Sequence, residues 1–170
     1  TGEQGKLRSL LAAAPVAIQD NPYLIKLRQD LFPPKDWIER EIVFYCGPQF
    51  TPWDPTSLDG RGESFVGGSE EAVIYLTQEL AKLGWKVVVY ADPIKEGIYD
   101  GVEYLSHYKF NSRDNFNILV FWRAIGWVDM NCKANQIYLW CHDVQNPAEY
   151  TKERIDKLTK IIVLSKAQRE

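Results

Sequence analysis

The sequence predicts a Rossmann-like α/β domain, an open and mostly parallel sheet flanked by helices, with a short helical lead-in before it. Three observations predict it. Short apolar runs recur at residues 42–46 (IVFYC), 87–90 (VVVY), 118–121 (ILVF), 137–140 (IYLW) and 161–164 (IIVL). The runs are continuous rather than alternating, the pattern of parallel strands buried on both faces. Segments with helical spacing separate them, as crossovers between parallel strands require.

In chain order, residues 1–40 differ from the rest. Leu7, Leu10, Leu11 and Ala14 recur at helical spacing until Pro15 interrupts, and Leu24, Leu27 and Leu31 mark a second helix that Pro33-Pro34 stops. This segment reads as a helical lead-in or a linker from a preceding module. Residues 41–170 then form the α/β domain. After the first run comes a connection over residues 47–68, rich in Gly, Pro, Asp and Ser. Connections in such folds usually run ~2–6 residues, and long ones tend to be functional.

The clearest helix covers residues 70–83, where Ala72, Val73, Leu76, Leu80 and Leu83 share one face, with Ser69 expected to cap its start and Gly84 to end it. A shorter run at 102–105 (VEYL) is a further strand, and helices are expected at 128–134 and 148–158. A buried parallel strand is normally covered or continued. The last run ends only a few residues before Glu170, so the expectation is that a longer natural chain continues.

Composition narrows the class. The chain of 170 residues, 45% hydrophobic and 25% charged, fits one globular domain. A net charge of -3 without a long basic run argues against bulk nucleic-acid binding. No apolar stretch approaches the ~20 residues of a membrane span, and the N-terminus lacks the regions of a signal peptide. Cys46, Cys132 and Cys141, odd in number and scattered, suit reduced thiols in a cytoplasmic protein. With two histidines and no C-x-x-C pair, no zinc site is expected. Six Trp and nine Tyr exceed the needs of such a core, and surplus aromatics often line sugar or partner surfaces.

Ligands of open parallel sheets bind beyond the carboxyl ends of the strands. The 47–68 connection holds Trp53, Asp54 and Arg61, which are candidate acceptor or sugar contacts, and delivers Gly67, Gly68 and Ser69 to a helix start. Adjacent glycines admit close backbone approach, and the helix start offers free N–H groups to a phosphate. Arg123 follows the 118–121 run, while His142 and Asp143 follow the 137–140 run. These three are the candidate catalytic residues, and the residues alone do not choose among them. His142 is also a candidate sugar contact. The GRGESF segment at 60–65 lacks the third glycine of a dinucleotide fingerprint, and no Walker A or nucleophile-elbow pattern is present.

Several segments together resemble a known family. YCGP at 45–48, WDP at 53–55, GGSEEAV at 67–73, LAKLGWKV at 80–87, WCHD at 140–143 and VLSK at 163–166 fall in the order seen in bacterial and viral glycosyltransferases of, or close to, family 4. The similarity runs from Glu41 to the end of the sequence. It implies the N-terminal half of a GT-B fold, in which two Rossmann-like domains face each other across a cleft. The first would hold the acceptor and set a glycine-rich loop near the donor phosphates, and the second would grip a nucleotide-diphosphate sugar. The resemblance further implies retention of anomeric configuration, no bound metal and no covalent cofactor. Carried over, Gly67 and Gly68 lie near the donor diphosphate, and His142 and Asp143 line the acceptor crevice. Relatives often place a histidine where this chain has Trp122-Arg123. Since the donor-binding domain is absent from these residues, the chain alone is expected not to turn over.

Two other readings stay open at this stage. A non-catalytic domain would bind a glycan or protein through the same crevice. A dinucleotide-binding domain would use Asp92, after the second strand, to hold a ribose.

Overall fold

The computed structural model describes residues 2–59, 66–144 and 146–166. It is a mixed α/β fold built on one sheet of seven strands in the order β3-β4-β2-β1-β5-β6-β7. The strands are β1 (Glu41–Tyr45), β2 (Lys86–Ala91), β3 (Gly97–Tyr99), β4 (Val102–Ser106), β5 (Asn115–Trp122), β6 (Lys133–Trp140) and β7 (Lys160–Ile162). Every pairing is parallel except that of β3 with β4. Without the antiparallel β3, the order β4-β2-β1-β5-β6-β7 is the doubly wound order of Rossmann-like sheets, with its switch point between β1 and β5.

Burial explains the apolar runs. All five residues of β1 are buried, with Ile42 and Phe44 in one core layer and Val43 and Tyr45 in the other. Alternate residues of a central strand point to opposite faces, so a strand covered on both needs an unbroken run. The helix α4 (Gly68–Lys82) buries Val73, Ile74 and Thr77 against the first layer. It ends at Gly84, whose φ of +83° suits glycine.

Three expectations are corrected. Ser69 does not cap α4. The N-cap is Gly67, which has no side chain to cap with, and the helix begins one residue before Ser69. Residues 128–134 are not a helix. A 3-10 turn spans Ile125–Met130, and β6 already begins at Lys133, because Asn131 turns left-handed (φ +52°) and reverses the chain. Residues 148–158 divide into a 3-10 turn at Pro147–Glu149 and a single α-helical turn, Lys152–Ile155, so most crossovers are shorter than the helices expected.

The lead-in consists of α1 (Gly2–Ala12), α2 (Val16–Gln19) and α3 (Pro22–Leu31). It is tied to the sheet. Asn115 N donates to Lys35 O at 2.9 Å, Lys35 N to Asp114 Oδ1 at 2.9 Å, and the Arg28 guanidinium lies over the Tyr108 ring.

Candidate functional site

Parallel pairing brings the expected residues to one end of the sheet. Trp122 of β5 stands beside Trp140 of β6, and Arg123 N donates to Trp140 O at 2.9 Å, so Arg123 and residues 141–143 leave the sheet side by side. Immediately after β5 the chain turns sharply. Ala124 N donates to Trp122 O at 2.8 Å across Arg123, whose φ is +67°. That is a γ-turn of the strained hand, and a non-glycine residue held there is the kind of outlier that clusters at functional sites.

The Arg123 side chain joins two elements. Nε and Nη2 make a forked contact to the Asp143 carboxylate, the second at 3.0 Å, and Nη1 donates to Glu70 Oε1 at 3.2 Å. Its guanidinium also covers the Trp122 ring. The Arg123 hydrogen bonds hold the Asp143 carboxyl below its ordinary range. Glu70 lies in the first turn of α4, and its Oε2 reaches back over the N-cap, 2.7 Å from where a Cβ on Gly67 would sit. Gly68 has open space where its Cβ would be.

His142 packs between two indoles, with ring centroids 4.4 Å from Trp140 and 5.7 Å from Trp122. Its Nε2 is buried without a hydrogen-bond partner among the described residues. Burial, and secondly the Arg123 charge, lower its pKa from the ordinary 6.5. The neutral imidazole is therefore the prevailing form at pH 7, able to accept a proton. Just below pH 6.5 the folded chain binds fewer protons than the unfolded one. The contribution of His142 to stability is thus full above that value and declines as the pH falls through the folded-state pKa. Urea unfolding at stepped pH should show this slope, and His142→Gln should flatten it. An unchanged slope in the variant would assign the titration to another group.

The remaining candidates are placed elsewhere. Trp53 is 1% exposed and belongs to the core, so it offers no surface to a sugar. Asp54 is fully buried, and its carboxylate accepts from Thr56 N at 2.9 Å, from the Thr56 hydroxyl and from Lys95 N at 3.1 Å. It organises its own loop. Ser69 is half-buried in the first turn of α4, and Arg61 lies outside the described residues. Among the described residues, no group of three or more His, Cys, Asp or Glu is arranged to hold a metal ion. No helix among them is long and apolar enough to cross a membrane.

Sequence reasoning missed Glu70 as the partner of Arg123. Its place, three residues after the N-cap, is where a glutamate turns back over a helix start, and that spacing was readable. It also missed Trp127, whose ring lies 2.7 Å from the Cβ position of Gly47. Gly47 opens the turn after β1, where a dinucleotide would rest its pyrophosphate. Trp127 packs against that turn, and Asp92 Oδ1 stands 3.6 Å from His107 Nδ1. Neither feature favours a dinucleotide.

This chain matches no known family model, no curated protein and no solved structure.

Proposed function

We propose that this chain is the acceptor-side domain of a glycosyltransferase that moves a sugar from a nucleotide-diphosphate donor to an acceptor hydroxyl. The reading rests on the sequence resemblance. One structural observation supports it above others: at the carboxyl edge, beside the β1/β5 switch point, strained Arg123 bridges the start of α4 to Asp143 with His142 alongside. Switch points are where open α/β sheets take ligands.

In this proposal the leaving diphosphate gathers negative charge near Gly68, where backbone N–H groups of the first helical turn and the helix dipole favour it. Glu70 would repel a phosphate there, and Arg123 offsets that charge by pairing with it. His142, held neutral beside Arg123, lines the acceptor crevice. A second domain of the same parent chain supplies the grip on the donor, and transfer retains configuration without a metal.

Gly68→Leu tests the phosphate contact cleanly. Open space at the Cβ position and a better helix former together leave the fold intact. In the full-length protein, turnover of a panel of nucleotide-diphosphate sugars should fall roughly 10²-fold, the scale of a small displacement of reacting groups. Wild-type turnover by a folded variant would overturn the assignment.

A further inference from the structure

In a doubly wound sheet, crossover helices normally cover both faces. Residues 107–114, between β4 and β5, provide only a 3-10 turn at His107–Lys109. Tyr90 and Phe110, in the core layer on that side, are roofed instead by the lead-in helices. The roof stands off the sheet and leaves a cavity of about 470 Å³, within the range of small-molecule sites. Arg123, Asp143 and Glu70 take no part in its walls.

Floor and roof differ in rigidity. The Phe110 ring of the floor is stacked on Phe116 at 5.3 Å and packed against Tyr45 and Tyr90 at 4.5 and 5.3 Å. Interlocked aromatic rings hold a surface in one shape. The roof is tied down more lightly. Among the described residues, α1 buries only Leu11 and α3 buries no side chain. Elements with few buried apolar contacts open at low free energy, which gives a ligand its way in.

The polar groups of the lining do not select the ligand. Lys109 pairs with Glu96, and Asp114 accepts from Lys35 N. The Arg8 and Arg28 guanidinium groups lie over the Phe32 and Tyr108 rings and donate to Leu31 O and Gln19 O. The remaining lining cation, Lys35, is an exposed residue. Gln19 Oε1 and Arg28 Nη2 are fully buried, so they do not open into the cavity. What a ligand meets is the apolar remainder, Leu11, Ile25, Phe32, Pro33, Tyr90 and Phe110. A charged group on that surface would lose its hydration without a buried counter-charge to replace it. We infer that the cavity binds an uncharged, apolar compound of about two or three rings, lying on Tyr90 and Phe110 beneath α1 and α3. The site stands independently of the transferase reading.

N-phenyl-1-naphthylamine, an uncharged probe that brightens in apolar surroundings, tests this. It should bind the chain at a single site, raise its melting temperature, and lose no affinity between about 0.1 M and about 1 M salt. The matched anion, 8-anilinonaphthalene-1-sulfonate, should bind about tenfold more weakly or worse. Ala14→Phe and Ile25→Trp, which add bulk to the lining from the roof, should each weaken the neutral probe about tenfold or more. Near-UV circular dichroism verifies that each variant is folded. Hydrogen exchange needs no variant: the probe should slow exchange in α1 and α3 and leave α4, on the other face, unchanged. A sulfonate that binds as tightly, wild-type affinity in both folded variants, or unchanged exchange in α1 and α3 would each overturn the inference.

Discussion

Arg123→Ala should destabilise the domain by about 1–2 kcal/mol, while Arg123→Gly should stay within about 1 kcal/mol of the wild type. Both variants lose the forked pair with Asp143 and the bond to Glu70. These side chains are partly exposed, so solvent and salt screen the pairs, and only their joint, forked geometry raises them above an ordinary surface bridge. Alanine also keeps the strained φ of +67°, whereas glycine adopts it without penalty. Urea midpoints separate the two contributions. Equal losses would mean that the turn stores no strain, and no loss in either would mean that the ion pairs are neutral. In the full-length protein, both variants should lower donor turnover by roughly 10²-fold, on the proposal that the guanidinium offsets charge beside the diphosphate. Arg123→Lys, which retains charge but not the fork, should fall between.

The sheet was readable in the sequence because two-faced burial leaves an unmistakable mark. A strand such as Ile42-Val43-Phe44-Tyr45 must be apolar throughout, and no surface helix of that length looks the same. The helices were less readable. Residues 128–134 carry an apolar spacing that a helix would also use, yet Val128 is buried from a 3-10 turn and Ala134 is half-buried from a strand. Side-chain spacing records which residues are buried, and over one or two turns several backbones satisfy it. The lead-in shows a different limit. Its helices were visible from their own spacing, but that they cover the face left bare between β4 and β5 depends on contacts such as Lys35 with Asp114, which no local pattern encodes.

The site divides along the same line. Arg123, His142 and Asp143 could be placed together because strand ends in a parallel sheet are fixed by topology alone. What each side chain does there was not fixed by topology. Arg123 is committed to two carboxylates, and His142 is held neutral by two indoles and a nearby cation. Gly67 and Gly68 also separate. The first is crowded by Glu70 and the second is open, a distinction set by side-chain direction at a helix start.

Trp53→Ala should cost about 3–5 kcal/mol, the range for removing a buried aromatic side chain. From sequence, Trp53 reads as either a sugar platform or a core residue, since tryptophan serves both purposes. The structure makes it core. Its ring meets Tyr104 edge-on at 6.3 Å and Trp122 at 6.1 Å, and its backbone N donates to Asp92 O at 2.8 Å, pinning the loop to the end of β2. Such a loss takes a large share of a domain's usual stability of roughly 5–15 kcal/mol. Trp53→Phe should cost clearly less. The smaller ring keeps much of the apolar contact, and it removes an indole N–H that is buried without an acceptor among the described residues. Urea unfolding of the two variants decides the matter. A surface platform would leave both as stable as the wild type and weaken only saccharide binding. A core residue yields a large loss for alanine and a small one for phenylalanine, with the loop over residues 53–59 loosening first.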